Sequence, residues 1–382
     1  MNILFLADPN SIHDIKWISF FTEKYNCFLV MRPYSAEVMG KENFSAFEEK
    51  HHVKILGVIE DFSLRHFFRT IKQFQFLNTE IRSHKIDLLH IMYAEPNALW
   101  AYFRNSLNIP IVLTTRGTDV LKTIPFFFNN PGILNKLVAA CYKKALLKCD
   151  VITCTSYRQK ESVLKLTAKK AQKVEVIRTG VDIDKILGDT TVFKLSELEG
   201  RKYVFFPRAM RPLYQHEFAI SAIKLLPEEI RNKFSFVFID KNSADNNYVS
   251  LIRNEMNDCE ANFIWLNNLE QSVLFQTYKN ASLVVMTPAS DGSPVSAVET
   301  MLCKVPLILP PLPYDKDLFS EGVVFFESWK AEDLALQIES LLEGDQKLNT
   351  ESSFQNAINL ADRKREMTKL GRIYSEIAPK KS

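Results

Sequence analysis

Short apolar runs rich in β-branched residues alternate along the chain with longer segments whose apolar positions recur at helical spacing. The first kind predicts buried strands and the second amphipathic helices. In the first half of the chain, strands are expected at NILFLA, NCFLVMR, VKILGV, DLLHIM, IPIVLTTR, VITCTS and VEVIRTG. In the second half they are expected at KYVFFPR, FSFVFID, NFIWL, LVVMT, VPLIL and VVFFE. Strands separated by helices predict parallel sheets, and two such sets predict two doubly wound, Rossmann-like α/β domains. The alternation weakens at DIDKILGDTTVFKLSELEGRK (182–202), which is mixed in charge and holds two glycines. The expected organisation is therefore a first domain at 1–182, a linker at 183–202 and a second domain at 203–360. Residues 361–382 are expected to form a C-terminal helix that returns to the first domain.

Composition narrows the class. With 382 residues, 46% of them hydrophobic and 24% charged, the chain is long enough for two packed cores. Forty-eight basic residues against 45 acidic ones leave a net charge of +3, so no global field points to nucleic acid. The six cysteines show no CxxC and no metal-ligand spacing, which predicts reduced thiols in a cytoplasmic setting. MNILFLADPN lacks a basic n-region, and its apolar run is too short for a signal peptide. No apolar stretch approaches the ~20 residues that span a bilayer.

The segment from 281 to 309 carries the most chemistry. ASLVVMTP predicts a buried strand, ASDGS a turn, and SPVSAVETMLCK a helix ending before Pro306, with VPLIL as the next strand. Ser293 suits an N-cap and Pro294 a first helical position. Val295, Val298, Met301 and Leu302 form the packing stripe, leaving Ser296, Glu299 and Cys303 on a neighbouring face. Glu299 is thus a lone carboxylate one turn beyond a helix N-terminus whose free amides attract anions. A solvated surface glutamate is the plainer expectation. A carboxylate placed there is also able to accept two hydroxyl hydrogen bonds, as from a ribose.

In chain order, DPNSIHDIKWISFF, TTRGTDV (114–120), KCDVITCTS, VIRTGVD, FFPRAMRPLYQHEF and SDGSPVSAVETMLCKVPLIL line up over nearly the whole chain. This series resembles the retaining glycosyltransferases of family 4, the glycosyl transferases group 1, which have the GT-B fold of two Rossmann-like domains facing across a cleft. The resemblance implies transfer of a sugar from a nucleotide-diphosphate sugar to a glycan, lipid-linked or small-molecule acceptor, with retention and with no cofactor. It implies that Glu299 holds the donor ribose and that Asp291 lies near the transferred sugar. Gly292, Ser293, Pro294 and Val295 would face the diphosphate. Arg208 would neutralise charge on the departing diphosphate, where a preorganised cation contributes most.

Four positions depart from the family pattern. Asp291 stands where glutamate is usual, and Tyr214 where a lysine commonly partners the arginine, so the second cation for the donor is either missing or supplied by Arg211. Arg116 replaces a histidine in TTRGTDV, so it stabilises charge but cannot act as a base. The glycine pair after the first strand is replaced by Asp8-Pro9-Asn10-Ser11, near which His13 matches a family position. Asp119 is expected either to cap a helix or to touch the sugar.

Other classes share this architecture. A nucleotide-sugar epimerase would need further acids and histidines. A nicotinamide dehydrogenase would need GxGxxG after the first strand, and LADPNSIHD contains no glycine. A non-catalytic nucleotide-sugar-binding relative or partner subunit is the alternative that Arg116 and Tyr214 favour. The Asp-x-Asp sequences at 182–184 and 315–317 are expected to be solvated turns, and no metal is expected. Finally, FSLRHFFRTIKQFQFLNTEIR (62–82) predicts a helix capped by Ser63, with Arg65, Arg69 and Lys72 on one face. A basic face beside an aromatic, helped by Lys143, Lys144 and Lys148, suits peripheral binding to an anionic membrane surface. A helix packed on the sheet with a solvated basic edge is the plainer expectation.

Overall fold

The computed structural model describes residues 1–63, 66–171, 173–190, 195–240, 246–267, 269–292 and 294–379. The chain divides into two compact units, Met1–Thr179 with Lys364–Ser382, and Gly180–Arg363.

The first unit is built on seven parallel strands: β1 (Asn2–Leu6), β2 (Asn26–Met31), β3 (Val53–Val58), β4 (Leu88–Met92), β5 (Ile111–Thr115), β6 (Val151–Cys154) and β7 (Val174–Val176). Their order is β3-β2-β1-β4-β5-β6-β7. Alternate side chains of β1 enter different cores, Leu4 and Leu6 on one face, Ile3 and Phe5 on the other. Burial on both faces explains why these strands are continuous apolar runs. The helix Arg363–Ile377 belongs to this unit and places Met367, Leu370, Ile373 and Tyr374 in the core with Ile3 and Phe5. A buried polar thread fastens it. His90 of β4 bonds the Tyr374 hydroxyl at 2.5 Å and Thr114 at 2.6 Å, and Thr114 bonds Thr153 at 2.6 Å.

The second unit contains β8 (Tyr203–Phe206), β9 (Ser235–Asp240), β10 (Asn262–Asn267), β11 (Leu283–Val285), β12 (Leu307–Leu309) and β13 (Val323–Phe325), in the order β10-β9-β8-β11-β12-β13 and again parallel. Val204 and Phe206 pack on one face, Tyr203 and Phe205 on the other. The fold is thus two Rossmann-like α/β units, with a strand for each of the thirteen predicted runs.

The described part of 183–202, expected as a linker, lies within the second unit: Ile183–Leu187 is helical, and Ile186 and Leu198 are buried in its core, while 191–194 lie outside the described residues. Asp182 is partly exposed, but it caps that helix and pairs with Arg363 at 2.8 Å rather than standing in a turn. Asp315, in the second Asp-x-Asp sequence, is buried. The helix expected at 62–82 runs from Phe67 to Ser83. Ser63 accepts the His66 amide instead and so holds the turn before the helix. Leu64 and Arg65 lie outside the described residues.

In each sheet the strand order reverses once, between β1 and β4 and between β8 and β11. Ligands of open α/β sheets bind beyond the carboxyl ends of the strands at such points.

Candidate active site

In the second unit, two loops leave the switch point. One follows β8 and carries Arg208; the other follows β11 and carries Asp291. Backbone and side-chain bonds lace them together. The Thr287 hydroxyl donates to the Tyr214 carbonyl at 2.8 Å, and the Ala289 amide donates to the Leu213 carbonyl at 2.8 Å. His216 opens the helix that follows Arg208, and its Nε2–H donates to the Arg208 carbonyl at 3.1 Å. This lacing brings the Arg208 guanidinium to Asp291 Oδ2 at 3.1 Å and to Ser296 Oγ at 3.5 Å. Burial opposes the charge on Arg208, but Asp291 and Tyr214 more than offset it and hold the guanidinium above its ordinary pKa. Asp291 is pushed above the usual carboxylate range by burial, against the pull of Arg208 and of the Gly292 amide.

Tyr214 answers the question its position raises. It supplies no second cation; its ring lies under the Arg208 guanidinium, 4.1 Å from centroid to Cζ, a cation–π contact. Arg211 is exposed at the start of the short turn Pro212–Tyr214.

The helix expected after the ASDGS turn spans Val295–Leu302, and its N-cap is Pro294 at ψ 108°. Pro294 therefore stands one position earlier than expected. Ser293, the expected cap, lies outside the described residues. The Gly292 amide donates to Asp291 Oδ1 at 2.8 Å, so that donor serves its neighbour's side chain rather than standing open. Ser296, Glu299 and Cys303 do share a face. Glu299 lies beside Tyr278 and Cys303 and raises the pKa of both, burial being the larger cause. Ser296 bonds Tyr278 as well as Arg208.

The first unit holds a second arginine–aspartate pair. Ser11 caps the helix Ile12–Thr22 by accepting the Asp14 amide, and Asp14 Oδ2 accepts the Asp8 amide at 3.2 Å. Asp14 Oδ1 then receives Arg116 Nη2 at 2.8 Å, while the Arg116 guanidinium lies over the Trp17 ring at 4.4 Å. Among the described residues, Arg116 Nε and Nη1 are buried without an acceptor. His13 is exposed on the first turn of the same helix.

Asp119 requires a correction. It is fully buried, and its carboxylate accepts the amides of Ala94 (2.8 Å), Gly117 (2.8 Å), Val120 (2.9 Å) and Arg116 (3.1 Å). Burial raises its pKa and the four amides oppose the rise. A carboxylate so enclosed holds the loop after β5, with its bonds given to backbone amides.

Asp14, Trp17, Ser296 and Tyr278 join these sites without having been foreseen as members. Ser296 was expected on the Glu299 face but with no role, and Asp14 had one signal, an acidic residue three positions after a serine, which in isolation says only that a helix begins.

Two doubly wound α/β units, each with an arginine–aspartate pair beyond the carboxyl ends of its strands, define a two-domain enzyme of the GT-B class. The chain belongs to the group 1 glycosyl transferases: the family model "Glycosyl transferases group 1" matches residues 189–358, and "Glycosyltransferase Family 4" matches residues 29–185. No curated protein sequence matches the chain. Among solved structures it is similar to a glycosyltransferase from Rickettsia africae, at 15% identity and TM-score 0.77 over 98% of each chain. It is similar to Anabaena Alr3699/HepE in complex with UDP, at 15% identity and TM-score 0.75 over 98% of this chain and 99% of that one. Sucrose-phosphate synthase from Thermosynechococcus elongatus is also similar, at 13% identity and TM-score 0.67 over 98% of each chain.

Proposed function

We propose that the protein moves a sugar from a nucleotide-diphosphate sugar to a glycan, lipid-linked or small-molecule acceptor, with retention of anomeric configuration. The observation that carries this reading is the cluster of Arg208, Asp291 and Ser296 at the second switch point, with Glu299 one turn along the same helix. The second unit takes the donor. Glu299 accepts the ribose hydroxyls, Arg208 stabilises charge growing on the leaving diphosphate, and Asp291 lies at the transferred sugar. The complexes of Anabaena HepE with UDP and with UDP-glucose support a donor of this kind.

In the first unit, Arg116 offers two buried donors to developing negative charge. Arginine removes no proton, so in this reading a leaving phosphate oxygen takes the acceptor's proton on the face it departs from. The reading needs no cofactor or metal, and full turnover in excess chelator is its check.

Thermal-shift measurements against a panel of nucleotide-diphosphate sugars test the donor. A true donor at 100 times its Kd stabilises the fold by about 2.7 kcal/mol. Release of nucleotide diphosphate on adding acceptors, followed by assignment of the product anomer by NMR, tests transfer and retention. Stabilisation without turnover for any acceptor would leave a nucleotide-sugar-binding relative, the reading that Tyr214 in place of a lysine favours. No stabilisation by any member of the panel would overturn the donor assignment.

A further inference from the structure

Between Asp119 and Asp150 the chain has no acidic residue and five lysines, at 122, 136, 143, 144 and 148. The structure folds this stretch into two packed helices of the first unit, Ile124–Asn129 and Ile133–Lys148. The longer helix is anchored by Ala139, Tyr142, Ala145 and Leu146, all buried. Ile133, Leu137, Ala140 and Lys144 recur three and four apart on its opposite side, and all are exposed.

That outer side is apolar where a soluble surface would be polar. Ile133 is 81% exposed, Leu134 70% and Leu137 54%, and in the shorter helix Phe126 is 54% and Phe128 36% exposed. Five large apolar side chains within twelve residues form a patch, whereas scattered single ones would need no explanation. Lys122 and Lys136 are exposed among them. Farther along the helix, Lys144 donates to the Tyr102 hydroxyl at 3.0 Å and lies over its ring.

We infer that this helix pair docks on an anionic lipid surface, with the apolar side chains entering the acyl boundary and the lysines meeting the headgroups. Bulky apolar residues ringed by lysine, with no carboxylate in the segment, are complementary to such a surface. A protein partner would find the same apolar area but would not call for uniformly positive charge. Among the described residues no helix is long and apolar enough to cross a membrane, so the contact is one of lying on the surface. The helix Phe67–Ser83, the first expectation for this role, is less suited because its Arg69 is paired with Glu60. The inference stands apart from the donor assignment, since it rests on a different surface and needs no turnover.

Co-sedimentation of the full chain with vesicles tests it, using zwitterionic lipid alone and the same lipid with about one-third anionic lipid. The expected result is binding to the anionic vesicles that falls as salt is raised. Leu134→Gln with Leu137→Gln should lower the partition coefficient tenfold or more. Lys136→Gln with Lys144→Gln should lower it about fivefold per lysine on the anionic vesicles only. Arg69→Gln with Lys72→Gln should leave it unchanged. Because all of these residues are exposed, the variants should keep the wild-type melting temperature. Wild type remaining in the supernatant with anionic vesicles at low salt would overturn the inference. So would binding that Leu134→Gln with Leu137→Gln leaves intact. Concentration-dependent self-association abolished by that pair, with no vesicle binding, would make the patch an interface between copies instead.

Discussion

Arg116 and Arg208 occupy comparable places in the two units. Each follows a strand near a switch point, bonds one aspartate at 2.8 or 3.1 Å and rests on an aromatic ring at 4.4 or 4.1 Å. They differ in what is left over. Arg208 also reaches Ser296 from Nη1, while Arg116 keeps two buried donors without an acceptor among the described residues. Their supports differ as well. The backbone at Arg116 hangs on the buried carboxylate of Asp119, whereas the backbone at Arg208 hangs on the neutral imidazole of His216. An unmet buried donor is costly, so Arg116 can accept an anion with no exchange of partners. For Arg208, a ligand must compete with Asp291 or share it.

The largest expected effect breaks the comparison at its supports. Asp119→Ala removes the acceptor of four amides, three of them in buried bonds, and each buried one costs about 1–3 kcal/mol when left unmet. A loss of about 4 kcal/mol or more in urea unfolding is expected. A loss below about 1 kcal/mol would mean the loop holds itself. The next effect is on chemistry. Arg208→Ala should lower kcat by about a hundredfold or more, as for loss of a transition-state stabiliser. Arg116→Ala should cost less in kcat, about tenfold, because only part of the charge its donors meet is new in the transition state. The reverse ranking, or a rise in KM alone for Arg208→Ala, would exchange the two roles.

How much of this was legible in the sequence follows from how far apart the interacting residues lie. The strands could be found because burial on both faces writes itself locally, as in NILFLA and LVVMT. The place of Arg208 and Asp291 could be found only through motif order, since nothing local joins residues that far apart. Asp14 and Arg116 are 102 positions apart, and Trp17 looks like any core aromatic until the sheet folds it under the guanidinium. Asp119 was ambiguous because a capping and a ligand-binding carboxylate look alike until their donors are counted. The apolar anchors Ile186 and Leu198 were hidden in a charged stretch that resembled a linker.

The two units can also be compared through their buried histidines. Burial pushes His90 down to about 3 and His216 down to about 4. In both cases the unfolded chain binds the proton more tightly than the folded one. The stability each contributes is complete above about pH 6.5 and is lost as pH falls toward the folded value. For His216 this amounts to on the order of 3 kcal/mol between about pH 6.5 and 4. Its Nδ1 is buried without a partner among the described residues, and its Nε2–H holds Arg208. Acid should therefore loosen the Arg208 loop as the imidazole charges beside a guanidinium. Melting temperature followed from pH 7.5 to 4 should fall less steeply for His216→Asn than for wild type. Parallel curves would remove His216 from the acid response.

The last expected effect falls on binding alone and concerns the residue that most sharply separates the second unit from the first, which has no counterpart in its own pair. Glu299 sits one turn into the helix Val295–Leu302, on the face of Ser296, beside Tyr278 and Cys303. If it accepts two ribose hydroxyls, Glu299→Gln keeps the size of the side chain but removes the charge that strengthens both bonds. Hydrogen bonds to a charged group are worth about 1.5–3 kcal/mol, so the Kd for nucleoside diphosphate should rise roughly tenfold to a hundredfold. kcat at saturating donor should change little, because the ribose is bound alike before and during transfer. The fold should not suffer through its neighbours' charge: burial is the larger cause keeping Tyr278 and Cys303 protonated, so both stay neutral in the variant. Calorimetric titration of wild type and variant, with melting temperatures in parallel, separates the outcomes. An unchanged Kd in a variant of unchanged melting temperature would remove Glu299 from the ribose. A fall in kcat with Kd preserved would move it to the reacting sugar, the place now given to Asp291.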